Sequence, residues 1–213
     1  MSIKAVIFDL DGTLLNTLQD IGESMNEVLK REALPVHELE KYRYFVGEGV
    51  RMLVKRALPY GSSEEQISDS LGEMKKEYQK RWDRTTRPYE GIRELIKELK
   101  NRKIELAVFS NKPHEFTVDV VNRYFEGSFS TVLGAGEFPV KPDPAGVLHI
   151  KKILGLADQE MLYVGDSGTD MKTAKAASLY AVGVLWGFRP EGELKSAGAD
   201  RLIELPSDLL EVI

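Results

Sequence analysis

The chain has 213 residues, 42% of them hydrophobic, and a formal net charge of −5. That is enough apolar material for one large domain or a domain with a smaller companion, and the acidic balance lacks the clustered basic residues that nucleic acid calls for. With no cysteine there is no disulfide framework, thiolate nucleophile or cysteine zinc site, and no stretch is long and apolar enough to span a bilayer.

The first element is the run Ile3-Lys4-Ala5-Val6-Ile7-Phe8, ending in Asp9-Leu10-Asp11-Gly12-Thr13. A strand apolar on both faces reads as a central strand of a parallel sheet covered by helices on either side. In such sheets ligands bind beyond the carboxyl ends of the strands, which is where Asp9 and Asp11 stand. The chain enters this strand directly, with Lys4 and Asp9 inside it, so it does not read as a signal peptide; a cytoplasmic protein is the expectation.

Residues 16–85 carry helical periodicity (Ile21, Met25, Val28, Leu29; Val50, Leu53, Val54, Leu58; Ile67, Leu71, Met74, Tyr78) and no convincing strand. The block reads as an inserted α-helical cap, joined near Asn16-Thr17 and Arg84–Pro88 and hinged over the strand ends. From residue 88 onward helices and strands alternate, which implies βαβ units. Helices are predicted over 92–99, 114–124, 145–154 and 171–177, and strands over 104–109, 129–133, 161–164, 180–184 and 201–203. The fold class is therefore α/β: a Rossmann-like parallel-sheet core made of residues 1–15 and 86–213, with 16–85 as the cap.

Three more polar groups follow predicted strands: Ser110-Asn111-Lys112, Lys141-Pro142-Asp143-Pro144 and Gly165-Asp166-Ser167-Gly168-Thr169-Asp170. Converging carboxylates repel one another and need a cation or protons to coexist. Hard oxygen donors without histidine or cysteine select Mg²⁺ or a similar ion. A carboxylate is also a competent covalent nucleophile toward phosphorus; Ser110 is placed to donate to phosphoryl oxygens and Lys141 to neutralise their charge.

These four segments, in this order, resemble the four motifs of the haloacid-dehalogenase-like superfamily. The resemblance spans residues 9 to 170. It implies Asp9 as the nucleophile, Asp11 as the acid that protonates the leaving oxygen and later the base for water, and Thr13 with the N–H groups near Gly12 as support for the phosphate and for Asp11. It further implies a Mg²⁺ ion held by Asp9, the backbone carbonyl of Asp11, Asp166 and Asp170. The dehalogenase branch lacks the second aspartate because halide leaves without a proton; Asp11 therefore favours phosphoryl transfer, where general acid help is typically worth about 10²–10⁴-fold.

The segment Tyr44–Leu58, with Pro88-Tyr89-Glu90-Gly91, resembles the cap of phosphoglycolate phosphatases, which implies 2-phosphoglycolate as substrate. Gly47-Glu48-Gly49 is expected to open a helix with N–H groups toward an anion, and Arg51 to pair with a substrate carboxylate. With Gly12 and Asn111, these residues form the expected substrate-binding set. Alternatives are a phosphatase for another small ester or pyrophosphate, a phosphonate hydrolase with a lid lysine, and a β-phosphoglucomutase-like phosphomutase, whose usual histidine after the first motif is missing from Thr17–Ile21. The expected partner is a small phosphorylated metabolite, with the chain a monomer or homodimer. His37, His114 and His149 lack metal-ligand spacing, and Trp82, Trp186 and the methionines read as packing.

Overall fold

The computed structural model describes residues 3–213. The first strand, β1 (Ala5–Phe8), is fully buried. It lies at the centre of a six-stranded sheet between β4 (Glu105–Pro113) and β6 (Met161–Gly165). β5 (Thr131–Ala135) lies outside β4, while β7 (Tyr180–Val184) and β8 (Arg201–Ile203) extend the other side. Every pairing is parallel. Alternate residues of β1 feed opposite faces: Val6 and Phe8 join one apolar cluster, Ala5 and Ile7 another. That two-sided burial is why the strand reads as an unbroken apolar run.

On one face α5 (Ile92–Asn101) and α6 (His114–Phe125) pack against the sheet. On the other lie α7 (Ala145–Leu154), α8 (Gly168–Ala176) and α9 (Glu191–Ser196). The elements predicted over 145–154, 180–184 and 201–203 coincide with the observed ones. Two differ. Strand β4 does not stop at Phe109 but continues through Ser110, Asn111 and Lys112 to Pro113, with an irregular register against β5. Helix α8 starts at Gly168, earlier than its apolar pattern suggests, because Ser167 caps it in a reciprocal box with Asp170.

Between β1 and α5 the chain forms a two-residue strand, β2 (Leu15–Asn16), then α1 (Leu18–Arg31), α2 (Tyr42–Phe45), α3 (Val50–Ala57), α4 (Glu64–Gln79) and β3 (Arg87–Pro88). The helices surround their own apolar cluster, including Met25, Leu29, Tyr42, Val54, Ile67 and Met74. The two joints are tied together in two ways that periodicity does not reveal. β2 and β3 pair antiparallel, Leu15 with Pro88 and Asn16 with Arg87. Buried Asp20 of α1 accepts from the backbone N–H and hydroxyl of both Thr85 and Thr86, at 2.6–3.0 Å. Among the described residues no helix is long and apolar enough to cross a membrane.

Candidate active site

All four polar segments meet at the carboxyl edge of the sheet, because β1, β4, β5 and β6, which they end or follow, run parallel. Asp9 leaves β1; Asp166 and Asp170 lie at the β6–α8 turn. These three carboxylates each bring an oxygen within 4.8 Å of the others, and all are buried. Such a set of hard donors suits a divalent cation of the Mg²⁺ type. Burial pushes the Asp9 carboxyl well above the ordinary range; Lys141 opposes the rise and Asp170 and Asp166 add to it. Burial, then Asp170, raises Asp166 to about 7. Three buried carboxylates share the single ammonium of Lys141, which leaves negative charge that a further cation would balance.

Lys141 supplies part of that charge. Its Nζ donates to Asp9 Oδ1 and Asp170 Oδ1, each at 2.7 Å, and to the Tyr163 hydroxyl at 3.3 Å. Burial alone would depress the ammonium, but Asp170 and Asp9 outweigh it and hold it well above the ordinary lysine value. All three N–H donors are therefore committed, and Lys141 is fixed against the predicted nucleophile. The other oxygen of Asp170 accepts from the Ser167 N–H at 3.0 Å and its hydroxyl at 2.6 Å.

The predicted acid–base Asp11 stands apart from this cluster. Its carboxylate takes the Lys112 ammonium at 3.0 and 3.2 Å. That ammonium also lies 4.6 Å from the Tyr78 ring centroid. Burial would lower Lys112, but Asp11 outweighs it and keeps the group charged. Sequence reasoning left Lys112 without a role although it sits in the second motif; a third polar residue in a row on a buried strand was the available signal.

Two glycines let the chain close over Asp166. At Gly12, φ is +95° and a Cβ would stand 2.3 Å from Asp166 Oδ2. At Gly187 a Cβ would meet Asp166 Cβ at 2.2 Å. This close approach lets the Phe188 N–H donate to Asp166 Oδ2 at 2.7 Å. Thr13 turns its hydroxyl to Asp166 Oδ1, at 3.3 Å, rather than toward Asp11. Ser110 Oγ accepts from the Lys112 N–H at 3.2 Å, so its own O–H remains free to donate into the cavity it lines.

That cavity, about 70 Å³, lies between the sheet edge and the helical insertion. Asp9, Asp11, Ser110, Asn111, Lys112 and Lys141 form its floor, and Gly47, Gly49, Val50, Leu53, Met74 and Tyr78 are among its roof.

The expected substrate-binding residues divide. Gly47 lines the cavity, and its carbonyl accepts from Asn111 Nδ2 at 2.9 Å. The Asn111 amide also donates to the Lys141 carbonyl at 3.2 Å and accepts from the Lys141 N–H at 2.7 Å. Asn111 thus joins the insertion to the Lys141 loop. A second tie comes from Arg189, which donates to the Val46 carbonyl at 2.7 Å. Arg51 and Glu48 require correction. Arg51 points outward from α3 and pairs with exposed Glu64, while Glu48 pairs with Arg56; neither lines the cavity. Each found a carboxylate or guanidinium partner on the insertion's own surface. The histidines make other contacts: His37 meets the Ala57 carbonyl at 2.7 Å, His114 accepts from the Gly134 N–H, and His149 packs on Phe138.

The profile of the haloacid dehalogenase-like hydrolases matches residues 6–184. The chain belongs to that family. It is 33% identical over 192 residues to a phosphoglycolate phosphatase of Pseudomonas putida KT2440, an alignment covering 87% of this chain and 70% of that one. A phosphoglycolate phosphatase of Mannheimia succiniciproducens is 31% identical over 219 residues, covering 99% and 98%. The crystal structure of a nominal phosphoglycolate phosphatase from Lactobacillus delbrueckii subsp. bulgaricus superposes with a TM-score of 0.95 at 30% identity, covering 100% of this chain and 99% of that one. Within the family the chain resembles the phosphoglycolate phosphatases.

Proposed function

We propose that this protein is a Mg²⁺-dependent phosphatase that hydrolyses a small phosphate monoester, foremost 2-phosphoglycolate, through a phosphorylated Asp9. In this reading residues 16–85 are a cap over a core of 1–15 and 86–213, and the enzyme works in the cytoplasm on a small phosphorylated metabolite. The class, phosphoric monoester hydrolase, follows from the family and the relatives' names. The observation that carries the mechanism is the separation of two carboxylates in one cavity: Asp9 against Lys141, and Asp11 against Lys112.

Asp9 attacks phosphorus as the bond to the leaving oxygen breaks, and Asp11 delivers the proton that oxygen needs. Asp11, now a carboxylate and stabilised by Lys112, takes a proton from water. The water oxygen bonds to phosphorus, the acyl-phosphate bond breaks, and Asp9 is regenerated with release of phosphate. Lys141 and Ser110 offset and orient phosphoryl charge. Asp9, the Asp11 carbonyl and Asp166 would hold Mg²⁺, with Asp170 assisting; the ion screens the repulsion between the nucleophile and an anionic ester.

The test is phosphate release across small esters. The highest kcat/KM is expected for 2-phosphoglycolate, with activity lost on chelation and restored by Mg²⁺ but poorly by Ca²⁺. Isomerised sugar phosphate without free phosphate would refute the reading.

A further inference from the structure

Apart from the loop 46–49, the insertion lines the cavity with Ile21, Val50, Leu53, Met74, Lys75 and Tyr78. Only the last two carry polar side chains, and both come from α4. An apolar roof with one cation and one phenol is a poor match for a sugar, whose hydroxyls would lose water without finding partners. It suits a short carbon chain ending in one anionic group.

Tyr78 has the stronger signature. It is only 5% exposed, yet its hydroxyl is one of the few buried side-chain polar atoms that make no well-formed hydrogen bond among the described residues, although the Lys112 ammonium lies beside it. Such a group is costly unless something else completes it. Its ring is held edge-on by Phe116, centroids 5.3 Å apart, and its face receives Lys112, the same ammonium that binds Asp11. The phenol therefore stands one side chain away from the group assigned to protonate the leaving oxygen. Burial raises its ionisation to about 12, with Lys112 opposing and Asp11 adding to the rise, so near neutrality it is a neutral O–H donor. Lys75 lies one helical turn earlier on the same wall and makes no ion pair among the described residues, unlike Arg51, Arg56 and Lys76 around it.

We propose that Tyr78 and Lys75 read the anionic end of the leaving group, the phenol by donating a hydrogen bond and the ammonium by opposing charge, and so select short phosphate esters that end in a carboxylate. This rests on the phosphatase reading above and assigns its specificity to α4 rather than to Arg51.

The experiment compares kcat/KM for 2-phosphoglycolate with that for its neutral counterpart, 2-hydroxyethyl phosphate, in the wild type and in Tyr78→Phe, Lys75→Gln and Arg51→Ala. Tyr78→Phe retains the ring that Phe116 and Lys112 contact, and Lys75 is exposed, so both variants keep the fold. The wild type should favour the carboxylate ester. Its preference should fall about tenfold or more in either α4 variant, through KM more than kcat, and stay within twofold in Arg51→Ala. A preference that survives in both α4 variants, or collapses in Arg51→Ala, overturns the inference and leaves the phosphatase reading standing. A wild type that hydrolyses both esters without preference overturns the inference and the 2-phosphoglycolate assignment together.

Discussion

The two walls of the cavity are built on opposite plans. On the sheet side nearly every polar group is held by another: Lys141 spends three donors, Asp170 accepts on both oxygens, and Asn111 uses both ends of its amide. On the helical side the surface is apolar apart from Lys75 and Tyr78, and the buried phenol hydroxyl makes no well-formed hydrogen bond among the described residues. Chemistry common to many esters benefits from groups already fixed before substrate arrives, because no reorganisation is then needed during reaction. Selection among esters needs groups that only the right substrate satisfies. The contrast separates reaction from specificity, and three substitutions probe it.

The largest effect should come from the sheet side. Asp11→Asn keeps the shape but removes the proton carrier, and should lower kcat by about 10²–10⁴-fold on esters with poor leaving groups. An activated aryl phosphate, whose leaving oxygen needs little protonation, should suffer less. Steady-state rates on the two substrate types check this; equal losses would mean that Asp11 does not act on the leaving oxygen.

Next comes the joint between the walls. Asp20 gathers the two crossings by accepting from Thr85 and Thr86. Asp20→Asn turns one acceptor into an amide N–H₂ facing those donors, and should cost about 3 kcal/mol, or roughly 6–12 °C of Tm for a domain of this size. Calorimetry measures it. An unchanged Tm would show that the ribbon of β2 and β3 holds the joint alone.

The smallest effect should lie within the insertion. Glu77 of α4 takes Arg81 at 2.6 Å, Lys80 at 3.4 Å, and Arg31 from α1. Burial alone would raise its carboxyl, but hydrogen bonds from Arg81, Arg31 and Lys80 outweigh it and bring it from the ordinary 4.5 down to about 2. A depressed carboxyl stabilises the fold above its unfolded value, and that stability is lost as pH falls toward the folded one. Glu77→Gln should therefore lower Tm by a few degrees at pH 7, with the difference from wild type shrinking between pH 4.5 and pH 2. A constant gap across that range would assign the effect to packing instead.

How much of this is legible in the sequence follows the same division. The sheet side is readable because a buried parallel strand announces itself as an apolar run, and polar residues at its end have few reasons to be there. Asp9, Ser110, Lys141 and Asp166 converge for that reason. Even so, the apolar pattern stops at Phe109 while the strand runs on to Pro113, since backbone pairing does not require apolar side chains. The helical side resists reading. Periodicity marks Met74 and Tyr78 as inward-facing, but inward covers both the core and the cavity. Arg51 stands in the first turn of α3, as expected of an anion ligand, yet which way a long side chain turns depends on Glu64, thirteen residues further along the chain. Asp20, an acid inside a helix, looks like surface charge until the second crossing is placed beside it.

The most direct test of the central claim is to trap the enzyme during turnover. Rapid acid quench of the wild type with 2-phosphoglycolate and Mg²⁺, followed by peptide mass mapping, should find one phosphoryl group on Asp9, and none in Asp9→Asn, which should also release no phosphate. A phosphoryl group on another residue, or normal turnover by Asp9→Asn, would contradict the account.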